Sequence, residues 1–272
     1  IKEGFKQVVT SLQAMHAETN EPKTDKKQIA NHNQAKALLF DYADNLISLL
    51  VSLTNNSDDI LNEVLNEINL AIIFDLIANF QQYGFTLLTT ALQNTILDLI
   101  YDFSSESLDF IDALMKQEAV ISLINALREG TSTNELTQVL VQGILLQVLE
   151  ADTDATLNVA ECIDFIQNTT KAIQPINLQQ MNDDLNLVIK DEVDIPKLKE
   201  QAKKRQSAMM QLHALEIGLD LLAGIIEMIS SLGVDISENL TTVLLSIIPP
   251  VLEALQEQFA DRTFIVWNNM LW

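Results

Sequence analysis

The side chains best placed to do chemistry in this chain are carboxylates. Asp98, Asp102, Asp109 and Asp112 recur at steps of four, seven and three, and earlier Asp44 and Asn45 stand three and four positions after Asp41. On helices such steps line side chains up in rows on one face. A row of carboxylates attracts lysine and arginine and steers cationic ligands towards itself. It serves acid–base catalysis poorly, because catalysis needs a pair whose environments set their pKa values apart. No pair stands out here. The chain holds no glycine-rich phosphate loop, nucleophile elbow or HExxH. His16, His32 and His213 lie far apart, without ligand spacing to one another or to Cys162. One run imitates a calcium loop, with Glu150, Asp152, Asp154, Thr156, Asn158 and Glu161 at positions 1, 3, 5, 7, 9 and 12. Ala155 stands where the sharp turn requires glycine, so a junction between helices is expected there. No metal, cofactor or enzymatic activity is expected.

The charge is lopsided. The chain has 272 residues and a net charge of −22. Between positions 36 and 165, 20 acids face only Lys36, Lys116 and Arg128. Such a field repels nucleic acid and anionic membranes and attracts basic partners. The longest apolar stretch, 243–255, is interrupted by Ser246, Pro249, Pro250 and Glu253 and is too short to span a bilayer. A single cysteine suits the cytosol or nucleus, and Cys162, beside Ile163, reads as a buried structural thiol.

Only helices can position these rows. Glycine (7) and proline (5) are scarce, and strand-like alternation is nowhere sustained, so the chain is all-α. The stretch 92–127 packs three short helical patterns back to back, with breaks expected at Ser104–Ser105 and around Gln117–Glu118. Long helices are expected over 34–54 and 196–232, the second with a basic head of Lys197, Lys199, Lys203, Lys204 and Arg205. Two polar segments, about 19–33 and 174–195, read as loop insertions. Short amphipathic helices in close succession must stack on neighbours to bury their apolar faces. Leucine-rich helices opening near 38, 96, 137 and 214 fit a loose repeat, so residues 1–272 are expected to form a single α-solenoid of armadillo or HEAT type. Beginning at Ile1 and stopping at Trp272 in mid-pattern, the chain reads as a piece of a longer array.

The terminal WNNMLW looks like the third helix of an armadillo repeat, in which Trp267 and Asn268 would point into a peptide-binding groove. The stretches LLFDYADNLISLLVSLTNNSDDILNEVL (38–65), LDLIYDFSSESLDFID (97–112), NELTQVLVQGI (134–144) and LHALEIGLDLLAGIIEMI (212–229), with VWNNMLW at the end, resemble the fungal symportin family. That resemblance implies a non-enzymatic armadillo/HEAT chaperone and import adaptor. Such a protein carries two basic large-subunit ribosomal proteins of the 5S particle together and shuttles between cytoplasm and nucleus. It also implies an N-terminal proline–tyrosine signal for a transportin-type receptor, which this piece of chain is expected to lack. An acidic insertion would take one cargo, and residues 175–194 match its position with Asp183, Asp184, Asp191, Glu192 and Asp194. With the two acidic rows, Trp267 and Asn268, these make up the expected cargo-binding set.

Overall fold

The computed structural model describes residues 1–19, 26–130, 134–151, 159–186 and 195–231, with 241, 242, 245 and 246. Among these residues every regular element is helical. In order they are α1 (Lys2–Thr19), α2 (Lys26–Thr54), α3 (Asp58–Val64), α4 (Glu67–Gly84), a 3-10 turn (Phe85–Leu87), α5 (Thr90–Glu106), α6 (Leu108–Met115), α7 (Glu118–Glu129), α8 (Glu135–Ala151), α9 (Val159–Ile173), α10 (Leu178–Leu185) and α11 (Ile195–Ser231). The all-α expectation holds.

Caps explain where the helices begin and end. Ser57, Asn66, Thr89, Ser107 and Asn177 are extended residues whose side chains accept a backbone N–H of the following first turn. Gly84 closes α4 at φ +111°, a conformation open chiefly to glycine, as its position in the sequence suggests.

Three boundaries differ from expectation. The break expected at Ser104–Ser105 falls at Ser107, whose hydroxyl accepts from the Phe110 N–H at 3.1 Å, while Ser104 is buried inside α5. Residues 26–33, read as loop, continue α2 towards its start, because lysine, glutamine and alanine propagate a helix already fixed by packing. Within the expected 174–195 loop lies α10. Its Leu178, Met181 and Leu185, at i, i+3 and i+7, are buried, while Asp183 faces solvent. Flanking prolines and acids hide that short period in the sequence.

The chain divides into two compact units, one of Ile1–Thr133 with Ile144–Thr153 and the other of Asn134–Gly143 with Asp154–Trp272. In the first, α1 and α2 form an antiparallel hairpin. Gly4 packs against Tyr42 and Leu46, and at the other end His32 Nδ1 lies 3.6 Å from the Glu18 carboxylate. Helix α4 runs parallel to α1. Gln13 donates to Asn79 at 2.9 Å, and one turn on, His16 meets Tyr83 edge to face at 6.5 Å. Helix α5 likewise runs parallel to α2, since Thr95 donates to Asp44 at 2.5 Å and Asn55 to Asp102 at 3.4 Å. Phe110 of α6 stacks on Phe74 of α4 at 5.3 Å and meets Phe103 of α5 edge-on at 5.5 Å. All three rings are buried, and aromatic contacts of this kind contribute roughly 0.5–1.5 kcal/mol beyond area burial.

In the second unit, α11 packs on α9 and α10. The chains come close where Gly218 of α11 meets Ile173 and Thr169 of α9. Helix α2 has the length and apolar composition of a spanning helix. Its Phe40, Ala43, Ile47 and Leu50 are nevertheless buried in the core, and Asp41 and Asp44 sit at mid-helix.

Candidate functional site

Asp44 of one acidic row and Asp98 and Asp102 of the other meet along one seam of the first unit. Asp44, Val51 and Asn55 fall along one strip of the α2 segment, and Thr95, Asp98 and Asp102 along one strip of α5. The Thr95–Asp44 and Asn55–Asp102 hydrogen bonds join these strips. Asp44, Asp98 and Asp102 are half-buried there, while Asp41 and Asn45 are exposed beside them. The Asn45 amide donates to the Asp41 carbonyl at 2.6 Å, so it is turned back on its own helix. Asp109 and Asp112 are exposed on α6, which packs against α5. Asp109 also sits in the first turn of α6, where a carboxylate suits the helix dipole.

Two members of the expected set lie in the second unit, on α10. Asp183 is exposed and accepts from Gln179 at 3.1 Å, and Asp184 is half-buried. Asp191, Glu192, Asp194, Trp267 and Asn268 lie outside the described residues, as does most of the calcium-like run. The sequence reading missed Thr95 and Asn55, the two neutral residues that hold the seam in register. Their partners are 51 and 47 positions away, and spacing within a helix cannot reach that far.

The first unit also carries two grooves. One of about 550 Å³ lies between α1 and α2 and is lined by Ser11, Ala14, Glu18, Asn31 and His32. The other, of about 320 Å³, lies between α1 and α4 beside Gln13, His16, Asn79, Gln82 and Tyr83. Asn79 also donates to the Asp75 carbonyl at 2.8 Å, so the second groove is walled by amides that bond within the fold. Burial alone pushes the Tyr83 phenol up from its usual range. Among the described residues no cluster of His, Cys, Asp and Glu could hold a metal ion. The seam thus holds three half-buried carboxylates, of which Asp44 accepts from Thr95 and Asp102 from Asn55.

Helices alone among the described residues, with a carboxylate seam across two of them, define a strongly acidic all-α protein. The chain is 37% identical over 290 aligned positions to Synchronized import protein 1 of Saccharomyces cerevisiae, a match covering all of this chain and 46% of that protein. That likeness along the whole of this chain supports the resemblance to the symportins that its sequence stretches indicate. The chain spans about half the length of this curated relative. The relative is named as an import protein, in keeping with the all-helical build here. No family profile matches the chain, and no solved structure matches it.

Proposed function

We propose that this chain is part of a non-enzymatic chaperone and import adaptor. Its acidic surface binds basic large-subunit ribosomal proteins of the 5S particle and escorts them into the nucleus, shuttling between the two compartments. The observation that carries the reading is the match along the whole of this chain to part of an import protein, on a chain of net charge −22. The α2–α5 seam supplies local chemistry for it. Ribosomal proteins are rich in lysine and arginine, and masking those side chains with carboxylates competes with their binding to RNA. A transportin-type receptor is the proposed partner for import.

An α-solenoid of armadillo or HEAT type is the architecture we favour. Helix α4 repeats the direction of α1, and α5 that of α2, which is how successive helical hairpins stack. Leu38, Tyr42, Leu49 and Leu53 also form one exposed row on α2, at 62, 43, 49 and 37% exposure, on the side away from Asp44 and α5. A row of that kind is the face on which a further helical layer stacks.

The same row favours a second reading, a helical-repeat scaffold whose partners are apolar and not basic. Capture of the two 5S-associated ribosomal proteins across a salt series separates the two. Electrostatic capture should weaken steeply as salt rises, because exposed charges are screened within about 8 Å at physiological ionic strength. Capture indifferent to salt would favour the scaffold. No capture at low salt by a folded chain would remove the cargo reading for these residues.

A further inference from the structure

Helix α6 is more apolar than its place in the fold requires. Six of its eight residues are apolar, and a helix apolar all round belongs inside a protein. Only one side of α6 is inside. Phe110, Ile111 and Leu114 are buried, the first against Phe74 and Phe103. On the other side Leu108, Asp112 and Met115, at i, i+4 and i+7, form a row in solvent. Leu108 is 68% exposed and Met115 49%. Among the described large apolar side chains only Ile68 is more exposed than Leu108. Glutamine or lysine would sustain the helix as well at either position without leaving apolar surface in water. A sequence that breaks a local rule without an evident gain in packing points to something that covers the row.

Charge decides what kind of partner that is. Residues 106–118 hold four acids, Asp109 and Asp112 on α6 with Glu106 and Glu118 at its two ends, against Lys116 alone. All four carboxylates are exposed. Such a field repels nucleic acid, anionic membranes and a second copy of a chain of net charge −22. We propose that the outer face of α6 docks an amphipathic basic segment of a partner protein. Apolar side chains of that segment cover Leu108 and Met115, and its lysine or arginine heads meet Asp109 and Asp112. Lysine and arginine suit a face of this mixture, because their stems lie along apolar surface and their heads reach a neighbouring carboxylate. Methionine is unbranched and adapts to what packs on it. That the partner is basic rests on the cargo reading proposed above. The apolar demand at α6 is separate from it, and so is its place, since Leu108 and Met115 stand outside the α2–α5 seam.

Fluorescence anisotropy on the whole chain tests it, with two labelled peptides of equal charge. One carries leucine at helical spacing among lysines, and the other carries serine at the same positions. The leucine peptide should bind at least about tenfold more tightly, a gain that burying one large apolar side chain can supply. That advantage should survive as salt rises through the physiological range, where binding of the serine peptide fades. Leu108→Gln/Met115→Gln should abolish the advantage. It should leave the serine peptide's binding and the circular dichroism unchanged, since both side chains are exposed and glutamine sustains a helix. Leu38→Gln/Leu49→Gln, on the exposed row of α2, should keep the advantage. Equal binding of the two peptides by the parent would overturn the inference and leave the basic-cargo reading standing. So would an advantage that persists in the α6 variant, or one lost in the α2 variant alone. A dimer of the parent in sedimentation that the α6 variant lacks would give the face to a second copy and overturn it too. Binding of neither peptide at low salt would remove both this inference and the cargo reading.

Discussion

Cys162 shows how an environment fixes the chemistry of one side chain. It lies buried in α9, and burial, reinforced by the adjacent Glu161 carboxylate, pushes its thiol up from the ordinary range. The thiolate is the nucleophile, so the native chain should react with a disulfide reagent at pH 8 only as fast as α9 opens, and at once in denaturant. Rapid labelling of the native chain would contradict this placement. A raised folded value means the native state holds its proton more tightly than the unfolded one. This contribution is therefore complete at neutral pH and fades as pH rises above about 9 towards the folded value. The buried thiol was legible from its neighbours in the sequence, Ile163 and Phe165. The partners of Asp44 and Asp102 were not. Periodicity tells which face of a helix a residue occupies, and only tertiary packing tells which strip of another helix that face meets.

Among the elements, glycines distinguish a helix that is packed from one that is merely present. A Cβ added at Gly218 would lie 2.5 Å from Ile173 Cγ2, inside a buried contact between α11 and α9. Ile173 is β-branched and stiff at χ1, so it cannot swing clear without strain. Gly218→Ala should therefore destabilise by roughly 1–3 kcal/mol, less about 1 kcal/mol returned by the better helix propensity of alanine. Gly224 of the same helix is exposed, with nothing within 4 Å of the added atom, and Gly224→Ala should stabilise by up to about 1 kcal/mol. Thermal unfolding followed by circular dichroism should move in opposite directions for the two. Gly218→Ala at or above the parent Tm would show that α9 and α11 are not in contact as described. The sequence made both long helices visible through their apolar period. It could not tell the two glycines apart, because a close approach belongs to the pair of helices and not to either one. The same limit hid the start of α2: residues 26–33 carry no apolar period of their own and are helical because the turns after them are held in the core.

On the scale of the molecule, the question is whether the carboxylate rows act as a site or only add to a net charge of −22. Both alternatives foresee binding of cationic peptides that weakens with salt, so salt alone cannot separate them. Two variants of equal charge can. Replacing Asp98, Asp102, Asp109 and Asp112 with asparagine removes four charges from α5 and α6. Replacing Glu3, Glu63, Glu118 and Glu129 with glutamine removes four exposed charges from α1, α3 and α7. Long-range steering depends on the summed field and should respond to both sets alike, with association slowed by a few-fold at most. Close contact with the seam depends on charges within a Debye length, so only the aspartate set should also speed dissociation of a lysine-rich peptide, by about tenfold. Stopped-flow association and dissociation at low salt separate the two rate constants. Equal effects of the two sets on dissociation would mean that the acids keep the protein soluble and draw cations in without holding them at the α2–α5 seam, and the contact surface for basic cargo would then lie elsewhere on the chain.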